Sequence, residues 1–252
     1  MALVETSFVN GVMTVTLNDV DNRNALSAQL TVELVDVLDA ADSDPQVRVV
    51  VLTNAGKVFC AGADLSERSS GDAPSRVISP LELFGRFRNA PKPYVGRIAG
   101  HCVAGGMGLA AAMDISIATE EAKFGFTEVR IGVAPAMISV ICLPKMRPAD
   151  ANEAFLRGSR FSATRAAELG LINRAVPADE LDAAVEEVVS DLLLGGPEAL
   201  AATKQLTSRV PQMTADEAFE WTARLSAELF AGDEASEGMA AFLEKRSPPW
   251  VA

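Results

Sequence analysis

The run Val47-Arg48-Val49-Val50-Val51-Leu52 constrains the fold more than any other part of the chain. β-Branched residues at nearly every position, without alternation of apolar and polar, describe a strand covered on both faces, as strands of parallel sheets are. A parallel sheet needs long crossover connections, and helical segments do flank this strand. Upstream, after the polar stretch Asn18 to Asn24, Ser27 can cap a helix whose Leu30, Leu34, Val37, Leu38 and Ala41 share a face. Downstream, Ser79-Pro80 opens a short helix, Pro91-Lys92-Pro93 breaks the chain, and Tyr94 to Ile98 reads as another strand. A glycine-rich turn, a helix of small residues and a strand from Asp114 to Ala118 continue the alternation. The N-terminus differs: Leu3 to Val9 and Met13 to Leu17 flank Asn10-Gly11, a pair suited to a type I′ hairpin turn. Repeated β and α units place the chain in the α/β class.

From about Ser162 the signals become helical. Ala163 to Leu169 stops at Gly170, and Leu181, Ala184, Val185, Val188 and Leu192 mark one buried stripe. Gly195-Gly196-Pro197 is the best boundary, dividing a core of residues 1–195 from a helical region of residues 196–252. In that tail Thr214-Ala215-Asp216-Glu217 is a capping box opening a helix toward Phe230, and Pro248-Pro249 marks the end of the last helix. The sequence shows neither an internal repeat nor a low-complexity tract. With 252 residues it makes one large domain, or one with an appendage.

Composition narrows the partners. The 22 Lys and Arg against 34 Asp and Glu leave a formal charge of −12, a field that repels nucleic-acid backbones and anionic membranes. Cys60, Cys102 and Cys142 cannot all pair within the chain, which suits a reducing cytoplasm. With one histidine, His101, and no zinc-type cysteine spacing, no metal site is expected. The start Met1-Ala2-Leu3-Val4-Glu5 lacks the pattern of a signal peptide, and no apolar run approaches the roughly 20 residues that span a bilayer.

The chemistry-bearing patterns are few. Ala104-Gly105-Gly106-Met107-Gly108 matches neither the Rossmann nor the P-loop spacing. No G-x-S-x-G elbow presents a serine, and His101 has no visible partner, so it reads as a packed or hydrogen-bonded residue beside the glycine turn. Two features remain. Phe59-Cys60-Ala61-Gly62-Ala63-Asp64-Leu65 is a small-residue turn after an apolar strand, and Gly105-Gly106 is a turn entering an apolar helix. Both can leave backbone N–H groups free to face an anion, and both can equally be tight turns that allow close packing.

At these residues the chain resembles the crotonase superfamily, the enoyl-CoA hydratase and isomerase family. Asp21-Asn22-Arg23-Asn24-Ala25-Leu26-Ser27 is similar to the family's early coenzyme A loop, Ala61 to Leu65 to its first oxyanion loop and Gly100 to Asp114 to its second. Ala122 to Gly132 resembles the catalytic-glutamate segment, and Phe161 to Pro177 contains an A-A-x-x-G-L-I-N stretch. The resemblance implies a spiral of repeated ββα or βαβ units whose C-terminal helices support a homotrimer or a dimer of trimers. It implies an acyl-CoA thioester substrate and no separate cofactor, coenzyme A entering as part of the substrate. The backbone N–H groups of Ala63 and Gly105 would hold the thioester oxygen, and Glu128 would act as acid or base. Phe124, Phe126, Val129 and Ile131 would supply its apolar surroundings. Arg23, Ala25, Ala61, Asp64, Leu65, Gly106, Gly108 and Pro135 are the implied substrate-binding positions. Lys245 and Arg246 are further candidates for the phosphates of coenzyme A.

One departure matters. Well-known hydratases carry a second glutamate where this chain has Gly108, and the glycine-rich stretch after the catalytic glutamate is replaced by Val133-Ala134-Pro135-Ala136-Met137-Ile138-Ser139. The resemblance therefore implies a cytoplasmic enoyl-CoA hydratase, a lyase, with two alternatives: a single-glutamate 3,2-enoyl-CoA isomerase, or a non-catalytic acyl-CoA binding protein. Glu67 to Ser79, with Gly71 and Pro74, reads as a polar, mobile loop over the pocket.

Overall fold

The structure, a computed structural model, describes residues 2–70 and 76–251. Strands β1 (Val4–Val9) and β2 (Val12–Leu17) pair antiparallel across Asn10 and Gly11, whose φ angles of 49° and 81° are those the hairpin turn requires. Helix α1 (Ala28–Ser43) begins at Ser27, whose hydroxyl accepts from the Leu30 N–H, and buries Leu30, Leu34, Leu38 and Ala41. Val35 is buried with them, whereas the expected Val37 is only half-buried.

Three turns of a spiral follow. The first contains β3 (Val49–Asn54), β4 (Val58–Cys60), α2 (Leu65–Ser70) and α3 (Pro80–Asn89). The second contains β5 (Tyr94–Ile98), β6 (His101–Val103) and α4 (Gly105–Ala112). The third contains β7 (Ile115–Thr119), β8 (Lys123–Gly125), a 3-10 turn (Thr127–Ile131) and α5 (Ala136–Cys142). After α6 (Pro148–Arg157), β9 (Phe161–Ser162), α7 (Ala163–Glu168) and β10 (Arg174–Val176) complete the sheets. Among the described residues, one sheet has the order β1-β2-β3-β5-β7-β10 and the other β4-β6-β8-β9. Each turn thus lays one parallel strand in the first sheet and the next in the second.

The helix α8 (Leu181–Leu194) explains the continuous apolar character of β3. Val50 and Leu52 face the main core with α1, while Val49 and Val51 pack with Leu181, Val185 and Val189 on the opposite face. The second sheet has no comparable sequence signal, because strands of two or three residues are too short to show a period. The loop expected from Glu67 to Ser79 is a correction in part: Leu65–Ser70 is helical and Ser79 caps α3, while Gly71 and Pro74 lie outside the described residues.

The tail begins with α9 (Pro197–Arg209), directly after Gly195-Gly196 as expected. Lys204 ties it to the core, reaching Asp114 at 2.7 Å and donating to the Lys92 carbonyl at 2.6 Å. Helix α10 (Ala215–Phe230) starts with the expected capping box, and α11 (Asp233–Glu244) ends at Lys245, ahead of Pro248-Pro249, because Lys245 turns left-handed. Arg48 binds the carbonyls of Gly195 and Trp250, so the end of the chain returns to the edge of the core. Among the described residues no helix is long and apolar enough to cross a membrane.

Replacing Lys204 by Met leaves Asp114, partly exposed and still accepting from the Tyr94 N–H, without its ion-pair partner. The expected cost is about 1 to 2 kcal/mol, seen as a lower urea midpoint with an unchanged slope.

Candidate active site

The second sheet brings the two small-residue turns together. Cys60 of β4 is the register partner of Cys102 of β6, so the chain leaving each strand enters neighbouring turns. Gly62 has φ 91°, and a Cβ on it would lie 2.7 Å from the Ala104 Cβ and 2.9 Å from the Gly105 nitrogen. A Cβ on Gly106 would lie 2.4 Å from the Cys60 carbonyl oxygen. Only residues without side chains allow this approach. Ala104 itself has φ 50°, uncommon for a residue with a Cβ, and it caps the N-terminus of α4. Among the described residues, the N–H groups of Ala63 and Gly105 donate to no backbone carbonyl. Unpaired amides at one cleft, one of them at a helix N-terminus, are suited to a developing negative charge.

The early loop buttresses the first turn. The Leu26 N–H donates to Gly62 O at 2.7 Å, the Ala61 N–H to Arg23 O at 3.2 Å, and the Asn22 amide to the Asp64 carboxylate at 2.8 Å. Asn24 is buried, with its side-chain amide donating to the carbonyls of Ala55 and Val58. Asp64 also accepts from the backbone and hydroxyl of Ser66 at the start of α2. The hydrogen bonds from Ser66 and Asn22 hold its carboxyl below the usual carboxylate range.

A cavity of about 600 Å³ opens beside these turns. Ala61, Ala63, Leu65, Gly105, Glu128 and Pro135 line it. Arg23, Ala25, Asp64, Gly106 and Gly108 do not. Arg23 contributes a carbonyl to the loop behind the wall, Ala25 is buried there, and Asp64 is committed to its hydrogen bonds. Gly108 is closed off: a Cβ there would lie 2.5 Å from Ile138 and 2.9 Å from the Phe84 ring. His101 lies outside the lining and accepts the Lys123 N–H through Nδ1. Arg246 is ion-paired with Glu237 and Glu244.

Glu128 sits in the 3-10 turn that ends at Gly132, in a left-handed conformation. Below the turn Phe126 is fully buried and stacks on Phe155 with ring centroids 3.9 Å apart. The expected apolar shell is corrected in part: Phe124 and Phe126 are buried and Ile131, though exposed, lines the same cavity as Glu128, whereas Val129 is exposed and outside the lining. Burial raises the Glu128 carboxyl above its ordinary range, against a weaker opposing backbone hydrogen bond. Its Oε2 is buried with no hydrogen-bond partner among the described residues. An unpaired carboxylate oxygen in a cavity is costly in the resting protein and available to a reacting molecule. Among the described residues Glu128 is the one acidic group in the lining. The nearby thiols are no competitors, since burial pushes Cys60 and Cys142 up to about 12.

Two of the polar lining residues, Ser159 and Arg160, carry no mark in the sequence. Arg160 reaches the site because β9 pairs antiparallel with β8, setting Phe161 beside Phe124.

The enoyl-CoA hydratase/isomerase family profile matches residues 7–252. A Thermus thermophilus protein provisionally named enoyl-CoA hydratase is 37% identical over 243 residues, covering 94% of this chain and 96% of that protein. Carnitinyl-CoA dehydratase of Escherichia coli K12 is 33% identical over 235 residues, covering 90% of each chain. The crystal structure of a Mycobacterium smegmatis enoyl-CoA hydratase superimposes with a TM-score of 0.91 at 31% identity, covering 99% of both chains.

Because the folded state raises the Glu128 pKa, its ionised form opposes folding, and the associated stability is lost as pH rises through the raised value. Glu128→Gln is expected to match or exceed the parent protein's melting temperature at pH 7, and to narrow that difference at pH 4. Calorimetry at the two pH values checks both.

Proposed function

The chain belongs to the enoyl-CoA hydratase/isomerase family, and from that premise we propose that it adds water reversibly to the double bond of a 2-enoyl-CoA thioester. The observation that carries this reading is the unpartnered Glu128 oxygen in the cavity bounded by the Ala63 and Gly105 amides. The thioester oxygen accepts from these two N–H groups. As the water oxygen bonds to C3, the C2–C3 π electrons move toward the carbonyl and the charge falls on that oxygen, where the fixed amides stabilise it. Glu128 takes the proton released by the water and delivers it to C2, which restores the carboxylate and the thioester. A raised pKa suits a group that must first accept and then donate a proton near neutrality. Dehydration of a 3-hydroxyacyl-CoA is the same path reversed.

The closed Gly108 position favours a second reading. With Ile138 and Phe84 filling that space, Glu128 works without a carboxylate neighbour. One carboxylate suffices to remove a proton from C2 of a 3-enoyl-CoA and return it to C4, which is a 3,2-isomerisation. In either reading coenzyme A is part of the substrate and no separate cofactor enters. The oligomer we assign is a homotrimer or dimer of trimers, since Phe219, Phe230, Phe242 and Leu243 of the C-terminal helices are 77%, 68%, 83% and 79% exposed in the single chain. The setting assigned is the cytoplasm.

Incubation with straight, branched and carboxylated 2- and 3-enoyl-CoA thioesters in ¹⁸O-labelled, deuterated water separates the readings. Labelled oxygen in the product, detected by mass spectrometry, supports hydration. Deuterium uptake with double-bond migration and no added oxygen supports the isomerase. Binding without any conversion would leave a non-catalytic acyl-CoA protein. Glu128→Gln is expected to lower kcat by about 10² to 10⁴ while the thioester still binds.

A further inference from the structure

In a chain with 34 acidic and 22 basic residues most of the described arginines have a carboxylate partner, while Arg48 and Arg88 spend their guanidinium groups on backbone carbonyls and Arg209 lies over the Trp221 ring. Arg76, Arg86, Arg97, Arg147, Arg157 and Arg165 are all ion-paired. Two arginines that line the substrate cavity are not. Arg160 makes neither an ion pair nor a side-chain hydrogen bond among the described residues. Arg130 donates Nε to the Gly158 carbonyl at 2.7 Å and Nη2 to the Arg157 carbonyl at 3.5 Å, which leaves Nη1 uncommitted. The Gly158 turn, with φ 55°, and the β8–β9 pairing bring the two arginines to the same wall with Ser159.

The geometry points to an anion subsite formed by Arg160 and Arg130 that receives a carboxylate on the acyl part of the thioester. This assignment rests on the acyl-CoA reading above. The neighbouring wall of Ile131, Val133, Met137 and Ile138 accepts an aliphatic acyl body, and the arginines offer planar donors suited to a carboxylate at its end. A purely alkyl chain gives the guanidinium groups nothing in exchange for lost water. The phosphates of coenzyme A carry similar oxygens. The arginines, however, belong to the segments that carry and adjoin Glu128, the group that acts on the acyl part.

The test is isothermal titration with the full-length Glu128→Gln protein, which stops turnover. The ligands are a five-carbon 2-enoyl-CoA with a terminal carboxylate and its methyl-ended counterpart, each also prepared as the pantetheine thioester without phosphates. The expected result is a preference for the carboxylated ligand of about tenfold or more, retained in the pantetheine pair. Adding Arg160→Gln abolishes that preference, Arg160→Lys keeps part of it, and Arg147→Gln on the surface leaves it intact. Equal affinity for the two CoA thioesters overturns the subsite. So does an Arg160→Gln effect that is the same for both ligands and vanishes with pantetheine, which would place coenzyme A phosphates at the arginines. Failure to bind either CoA thioester overturns the acyl-CoA reading itself.

Discussion

The close approach of the Gly62 and Gly105 backbones governs the rest of this structure. Gly62 faces Ala104 and the Gly105 nitrogen at a distance that excludes any side chain, and Gly106 lies against the Cys60 carbonyl. The approach leaves the Ala63 and Gly105 amides beside one cavity, with no backbone carbonyl partner among the described residues. It also explains the investment in polar contacts behind the turn. Asn24 and Asp64 each spend a buried polar side chain, and Asn22 an exposed one, on holding a loop that packs few large apolar groups. A hydrogen-bonded loop of small residues keeps its place where hydrophobic packing alone would leave it loose.

The spiral solves the complementary problem of building such a turn repeatedly. Each turn of chain sends one strand to a sheet buried on both faces and a shorter one to the second sheet, whose strand ends feed the turns of the site. The large sheet supplies most of the apolar burial, through β3 and the two clusters on its faces. The small sheet supplies position. Strain at Ala104 sits at the join between the small sheet and α4, where the surrounding hydrogen bonds can hold it.

Electrostatically the cavity keeps its charges apart. Burial raises Glu128, whose Oε2 has no partner among the described residues, whereas most arginines elsewhere are neutralised by acids. Asp114 and Lys204 show the structural alternative: a buried ammonium and a partly exposed carboxylate that meet directly and fasten α9 to the core. A carboxylate paired with a cation supports the fold, and one with a buried, unpaired oxygen is available for chemistry.

The sequence by itself determined the elements whose signals are local. The Asn10-Gly11 hairpin, the Ser27 cap of α1, the doubly covered β3, the Ser79-Pro80 start of α3, the Thr214 capping box and the break at Gly195-Gly196 each depend on residues within a few positions of one another. The two oxyanion-type turns and the Glu128 segment were legible as blocks matching a family pattern, since small residues and one glutamate recur there in fixed order. Only the tertiary structure decided what fills the space around them. It closed Gly108 with Ile138 and Phe84, left Val129 and Ile131 exposed, and withdrew Arg23, Ala25, Asp64 and Gly106 from the cavity wall. It also brought Arg160 beside the Glu128 segment through a two-residue strand. The reason is physical: caps, turns and periods are short-range properties of the chain, whereas cavity shape and the pairing of charges depend on segments far apart in sequence that meet only after the sheets have formed.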